Sequence, residues 1–133
     1  MSTAEDPSIP QLIAEGAALF NTRHFWEAHE AWEEAWLELQ AEDEPAKAEF
    51  VQGLILLTAG FENLKRGKPA GFRVQLAKGL RRLRAQRGTG PSLGLQDEDV
   101  FREAVLDAYL HALEHKVPHL DDLDREVPHL HIA

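Results

Sequence analysis

Residues 25–36, FWEAHEAWEEAW, contain all three tryptophans of the chain together with one histidine and four glutamates. At 3.6 residues per turn, the apolar side chains fall on two arcs of a helix and most of the glutamates lie opposite them. The main arc consists of Phe25, Ala28, Trp32, Ala35, Trp36 and Leu39, and a second arc consists of Trp26 and Leu37. The stretch predicts an amphipathic helix over residues 24–40 whose tryptophans lie in the core.

The same periodicity continues along the chain, and no run of alternating β-branched residues predicts a sheet. We expect an all-α bundle of about five helices over residues 10–20, 24–40, 45–66, 69–87 and 97–115. Ser8 and Asp97 are the expected N-caps of the first and last helices, and Pro45 and Pro69 stand at first helical positions. Residues 88–94, GTGPSLG, have the composition of a loop.

The predicted third helix is apolar nearly all round between Phe50 and Phe61, so we expect it to be the most buried element. Gly53 and Gly60 share one of its faces, and glycines at this spacing let another helix approach closely. The tryptophan-rich helix is the expected partner of this face.

The length of 133 residues is typical of one domain, with a core over residues 8–115 and a tail over residues 116–133. The tail contains the tetrapeptide VPHL twice, at residues 117–120 and 127–130. The two copies are either apolar anchors that hold the tail on the bundle or a docking motif for another protein.

The composition excludes several classes of site. The chain has no cysteine, which rules out disulfides, thiolate zinc sites and cysteine nucleophiles and is typical of a reducing compartment. The first ten residues lack the pattern of a signal peptide, and the longest apolar run is far shorter than the ~20 residues that cross a membrane. We expect a soluble, cytoplasmic protein without a membrane partner.

Charge is unevenly distributed in this chain of net charge -9. Residues 63–96 contain no Asp or Glu but hold nine of the 14 basic residues, including a predicted patch of Arg73, Arg81, Arg82 and Arg84. Binding of nucleic acid or phosphate through this patch is one hypothesis. We favour instead a solvated basic helix or one that packs near the acidic helix, and a homodimer through the two oppositely charged faces remains open.

His29 and Glu33 are the candidate chemical groups of the tryptophan-rich helix. HEAWE begins like the zinc motif H-E-x-x-H, but Glu33 stands where the second histidine belongs. The Glu-x-x-His motif of di-iron bundles also fails, because Trp26 stands three residues before His29. The pair could still bind a divalent metal if Glu30 or another helix completed the ligand set. A structural hydrogen bond, with Gln52 as a further partner, is the favoured interpretation, and a general acid/base pair is the third.

Asp107, His111 and His115 form a second candidate metal site, spaced one turn apart on the predicted fifth helix. We expect this face to be exposed to solvent. The sequence contains no glycine-rich phosphate loop and no G-x-S-x-G nucleophile motif.

Two family resemblances follow from these motifs. The segment GAALFNTRHFWEAHEAWEEA, residues 16–35, resembles one tetratricopeptide helical hairpin, whose packing positions would be Leu12, Gly16, Leu19, Phe25, Ala28, Trp32 and Ala35. One such unit implies a small bundle that contains a repeat-like hairpin, because arrays of this repeat need ~3 or more units.

The segments NTRHFWEAHEAWEEAW (21–36), FVQGLI (50–55) and RGKPAG (66–71) resemble the family called domain of unknown function 309. The resemblance implies a small all-helical fold and no established activity. It places the polar signature of the family on Glu27, His29, Glu30, Glu33 and Gln52. This chain departs from the family pattern at Leu56 and Glu62, where a glutamine and a histidine are frequent.

Taken together, these patterns favour a non-catalytic domain that binds a protein or a small molecule. The alternative is a divalent-metal-binding protein or metal-dependent hydrolase centred on His29, Glu30 and Glu33. The sequence indicates no cofactor other than that possible metal.

Overall fold

The structure, a computed structural model, describes residues 6–133 and contains five α-helices in this part of the chain. They are α1 (Ile9–Asn21), α2 (Phe25–Ala41), α3 (Pro45–Lys65), α4 (Pro69–Ala85) and α5 (Glu98–Glu114). Short 3-10 turns cover Gly90–Leu93 and Leu120–Asp122, and the two-residue strands β1 (Leu95–Gln96) and β2 (His131–Ile132) pair antiparallel. The predicted all-α fold is confirmed, and each predicted helix end lies within two residues of the observed one.

Local signals account for most of the helix starts. The Ser8 hydroxyl accepts a hydrogen bond from the backbone N–H of Gln11, and the side chain of Gln11 accepts one from the N–H of Ser8, which completes a capping box. Pro45 and Pro69 begin α3 and α4 as predicted. Asp97 does precede α5, but its φ of 54° and its lack of a capping hydrogen bond show that its side chain does not cap the helix, contrary to expectation.

Helix α3 packs between α2 and α4, and its glycines face α4. A methyl group added at Gly53 would lie 3.2 Å from the carbonyl oxygen of Gly79, and one added at Gly79 would lie 2.8 Å from the carbonyl oxygen of Gly53. Gly60 lies against Leu76 in the same interface. The expectation that these glycines receive the tryptophan helix is therefore wrong, because the close approach belongs to α3 and α4.

Trp32 of α2 packs instead on Gly16 of α1, where its ring fills the space of the missing side chain. The indole is fully buried, and its N–H donates a hydrogen bond to the carbonyl oxygen of Ile13. Phe20 contacts the Trp32 ring and three further aromatic rings, those of Phe25, Phe61 and Phe101. This aromatic cluster joins α1, α2, α3 and α5. The likeness of the α1–α2 hairpin to a tetratricopeptide unit stays a prediction.

The tail returns to the bundle after α5. The valine and leucine of both VPHL copies are buried, as is Leu123 between them. The side-chain amide of Asn21 accepts a hydrogen bond from the N–H of Leu130 and donates one to its carbonyl oxygen. The apolar residues of the duplicated motif are thus part of the core of this chain. None of the helices in residues 6–133 is long and apolar enough to cross a membrane.

Candidate functional site

A small cleft opens between the start of α2 and the end of α3. It has a volume of about 150 Å³ and is lined by Phe25, Trp26, His29, Thr58, Ala59, Glu62, Asn63 and Arg66. Trp26 is 54% exposed, and its ring lies parallel to the His29 imidazole, with the centroids 5.5 Å apart and the planes 4° apart. The expectation that all the tryptophans lie in the core is correct for Trp32 and wrong for Trp26, because the bundle leaves this edge of α2 uncovered.

His29 and Glu33 are neighbours without a hydrogen bond. The Nε2 atom of His29 lies 3.9 Å from Oε2 of Glu33, beyond hydrogen-bonding distance, and the Glu33 side chain is 55% exposed. The favoured expectation of a buried, hydrogen-bonded pair is therefore wrong. At this exposure the pair contributes little to stability, because water screens both groups.

The remaining members of the predicted polar cluster do not converge on this pair. Glu27 and Glu30 are exposed, and Gln52 is half-buried on α3. No hydrogen bond in the described part of the chain joins Gln52 to His29 or Glu33, so its expected role as a partner is wrong. Residues 6–133 contain no group of three or more His, Asp or Glu side chains placed to hold a metal ion. A metal at His29 and Glu33 would need a third ligand from elsewhere.

The far wall of the cleft is formed by polar side chains in the last turn of α3 and just after it. Arg66 donates a 2.6 Å hydrogen bond from Nε to Oε2 of Glu62 and remains 56% exposed. Asn63 lies beside this pair and packs against Gly71 of α4. Sequence reasoning marked Glu62 only as a departure from a family pattern and missed Asn63 and Arg66. The signal that could have found them is their one-turn spacing on the third helix.

Two of the three residues of the second candidate metal site, His111 and His115, lie close together. The rings of His111 and His115 lie 4.3 Å apart, centroid to centroid, near the end of α5. The carboxylate of Asp107 lies 3.3 Å from Nε of Arg125 in the tail. Asp107, one turn before His111, therefore forms an ion pair with Arg125 of the tail.

The predicted basic patch divides over different surfaces of α4. Arg82 forms a salt bridge with Glu49 of α3, at 2.7 and 2.8 Å to the two carboxylate oxygens. Arg81 and Arg84 line a depression between α4 and α5, whereas the exposed Arg73 is outside its lining. The four arginines thus do not form one site.

A buried carboxylate closes the loop before α5. Glu98 is 8% exposed and accepts hydrogen bonds from the backbone N–H groups of Gly88 and Gly90, at 2.9 and 2.7 Å. Arg102 pairs with the same carboxylate at 3.4 Å. The sequence indicated only that Glu98 suits the first turn of a helix. Its amide partners lie in a loop whose conformation no local pattern specifies.

The fold and the cleft define a small all-helical protein with an exposed aromatic–imidazole pair at the edge of its central helices. Residues 13–75 match the model of the family described as "Domain of unknown function (DUF309)", so this part of the chain is similar to that family. The resemblance inferred from the sequence is therefore confirmed. No curated protein and no solved structure matches the chain significantly.

Proposed function

We propose that the chain is a non-catalytic binding domain that recognises a protein partner through the outer face of α2, with Trp26 as its main anchor. The single observation that carries this proposal is the 54% exposure of Trp26 on a helix whose two other tryptophans are buried or half-buried. Tryptophan is enriched among the residues that dominate binding energy in protein interfaces. At this exposure the indole contributes little to the core, and much of its surface is available to a partner.

The stacked imidazole supports a role in binding. The His29 ring lies parallel to the Trp26 ring, so the indole rests against a neighbouring side chain. A side chain that is already ordered loses less conformational entropy when a partner covers it. Arg66, which is exposed at the rim of the same cleft and held by Glu62, offers a hydrogen-bond donor next to this anchor.

The size of the cleft favours a protein surface over a small molecule. Sites for small molecules usually enclose about 300–1,000 Å³. The cleft beside Trp26 has about 150 Å³, enough for one side chain of a partner. A protein that covers Trp26 and inserts one side chain beside it matches both features.

Site-specific photo-cross-linking tests this proposal. Benzoylphenylalanine replaces Trp26 in the full chain, the protein is irradiated in an extract of its source cells, and the adducts are identified by mass spectrometry. The matched control carries the same cross-linker at Glu15, which is exposed on α1. We expect adducts from position 26 that wild-type protein competes away and the Trp26→Ala variant does not. Failure to form any specific adduct at position 26 would contradict the proposal.

A further inference from the structure

The depression between α4 and α5 is a second surface without an assigned role. It has a volume of about 470 Å³ and is lined by Leu80, Arg81, Arg84, Arg87, Arg102, Glu103 and Leu106. We call it the α4–α5 groove. Its lining combines guanidinium groups with leucine side chains.

Three arginines of the groove lack acidic partners among residues 6–133. Arg102 is neutralised by Glu98 and Asp99, at 3.4 and 2.7 Å. Within residues 6–133, no carboxylate lies within 4.0 Å of the guanidinium groups of Arg81, Arg84 or Arg87. The chain has 23 acidic residues, yet none of those in the described part pairs with this row. Although Glu103 also lines the groove, the arginines leave it with a net positive charge, which favours an acidic ligand.

Exposed leucines extend the groove along α5. Leu106 and Leu110 lie one turn apart and are 43% and 52% exposed. The half-buried Leu80 faces the depression from α4. An apolar row beside a basic row is the complement of an amphipathic helix with acidic residues, because such a helix docks its apolar side chains in a groove and pairs its charges at the rim. A small inorganic anion would leave the leucines uncovered.

The outer face of α2 has this chemistry. Trp26 and Leu37 are 54% and 55% exposed and lie three turns apart on nearly the same side of the helix. Glu30, Glu33 and Glu34 lie between them in sequence and are exposed. We refer to these five residues as the α2 stripe. It combines two apolar anchors with a block of three carboxylates.

We infer that the α2 stripe of one copy of this chain docks in the α4–α5 groove of a second copy. This inference rests on the proposed function and names the partner of the Trp26 surface. One contact would cover both exposed surfaces. In it, Trp26 and Leu37 of the α2 stripe cover the leucines of the groove. The glutamates of the stripe pair with Arg81, Arg84 and Arg87. Each contact uses the stripe of one copy and the groove of the other, so one stripe and one groove remain free. Further copies can then add to the pair unless the assembly closes into a ring.

The contact is expected to be weak and sensitive to salt. A helix of 17 residues is about 25 Å long, and one of its faces buries less than the ~800 Å² per partner of a standard stable interface. The paired charges are solvent-accessible, so raising the ionic strength from about 0.05 M to about 1 M screens them over a few ångströms. Self-association should therefore be visible only at high protein and low salt concentrations.

Sedimentation velocity on charge-reversed full-length chains tests the inference. One variant carries Arg81→Glu and Arg84→Glu, and the other carries Glu30→Arg and Glu34→Arg. In each variant alone, the stripe and the groove carry charges of the same sign, so it should associate at least tenfold more weakly than wild type. Their equimolar mixture restores opposite charges in both possible contacts and should associate like the wild type at low salt. The control, Lys68→Glu with Lys116→Glu, makes the same charge change as the arginine variant but outside the groove lining, and it should leave association unchanged.

The outcomes separate this inference from the proposed function. A wild-type chain that stays monomeric at high concentration and low salt overturns the inference, and so does association that the charge reversals leave intact. In that case, cross-links from position 26 to a different protein would still support the proposed function, and that protein would be the partner of the α2 stripe. If position 26 forms no adduct at all, including with a second copy, both proposals fail. Circular dichroism checks that every variant remains folded.

Discussion

The indole N–H of Trp32 donates a 3.1 Å hydrogen bond to the carbonyl oxygen of Ile13, which joins the second helix to the first through a fully buried side chain. The ring also occupies the space above Gly16, where a Cβ atom would collide with it. Only six residues along the same helix, Trp26 stacks on an imidazole at the surface. One short segment therefore supplies both a core tryptophan and an exposed one, and substitutions distinguish their roles.

The first prediction compares these two tryptophans. Trp32→Ala should lower the free energy of unfolding by about 3–5 kcal/mol, because it opens a cavity and leaves the Ile13 carbonyl without its donor. Trp26→Ala should change it by less than about 1 kcal/mol, since Trp26 is already 54% exposed to water. Urea unfolding followed by circular dichroism gives both values without relying on tryptophan fluorescence. Equal losses would show that Trp26 supports the core and would remove the main argument for its binding role.

The second prediction concerns the buried carboxylate of Glu98. Glu98→Gln should destabilise the fold by about 1–3 kcal/mol, because the amide cannot accept from both Gly88 and Gly90 as a carboxylate does. Asp99→Asn is the matched control, since the neighbouring Asp99 side chain is 76% exposed and should contribute within about 0.5 kcal/mol. Amide hydrogen exchange should speed up at Gly88 and Gly90 in the Glu98 variant alone. Unchanged exchange there would argue against these hydrogen bonds in solution.

The positions of the helices could be predicted from the sequence because they depend on local signals. The apolar period of 3.6 residues, the prolines at the starts of α3 and α4, and the Ser8 cap all act within one or two turns. These signals place each helix whatever its neighbours are, so the fold class and the helix bounds were accessible without any knowledge of packing.

The candidate site was less predictable because it depends on which helix faces are covered. A helical wheel shows that Trp26 lies on a second apolar arc, but not that the bundle leaves this arc open. The partner of Gly53 is Gly79 rather than a tryptophan, and that choice is made by the packing of α3 on α4. The pairing of β1 with β2 joins residues 95–96 to residues 131–132, a separation that no local pattern encodes.

The third prediction tests how the tail is held on the bundle. Asn21→Ala should lower stability by about 1–3 kcal/mol, because it removes both hydrogen bonds to the Leu130 backbone and leaves those half-buried groups unpaired. Thr22→Ala is the control, since the exposed Thr22 hydroxyl bonds only with nearby groups, the carbonyl oxygens of Ala18 and Leu19 and the His24 imidazole, and with nothing in the tail. Hydrogen exchange at Leu130 and sensitivity of the tail to protease should rise only in the Asn21 variant. If the tail is equally protected from exchange and protease in both variants, apolar burial alone holds it on the bundle.

The fourth prediction concerns metal binding by the histidines. The His111–His115 pair presents two imidazoles one turn apart, whereas His29 has one carboxylate at 3.9 Å and no third candidate ligand among the described residues. Stable zinc sites use three or four protein ligands, so neither place should retain metal against a chelator. In a nickel titration of the untagged protein, weak binding should therefore be lost in His111→Ala and kept in His29→Ala. One equivalent of metal that survives dialysis and is lost in His29→Ala would contradict this prediction. It would require a third ligand to reach His29, and it would support a metal-dependent function at the cleft between α2 and α3.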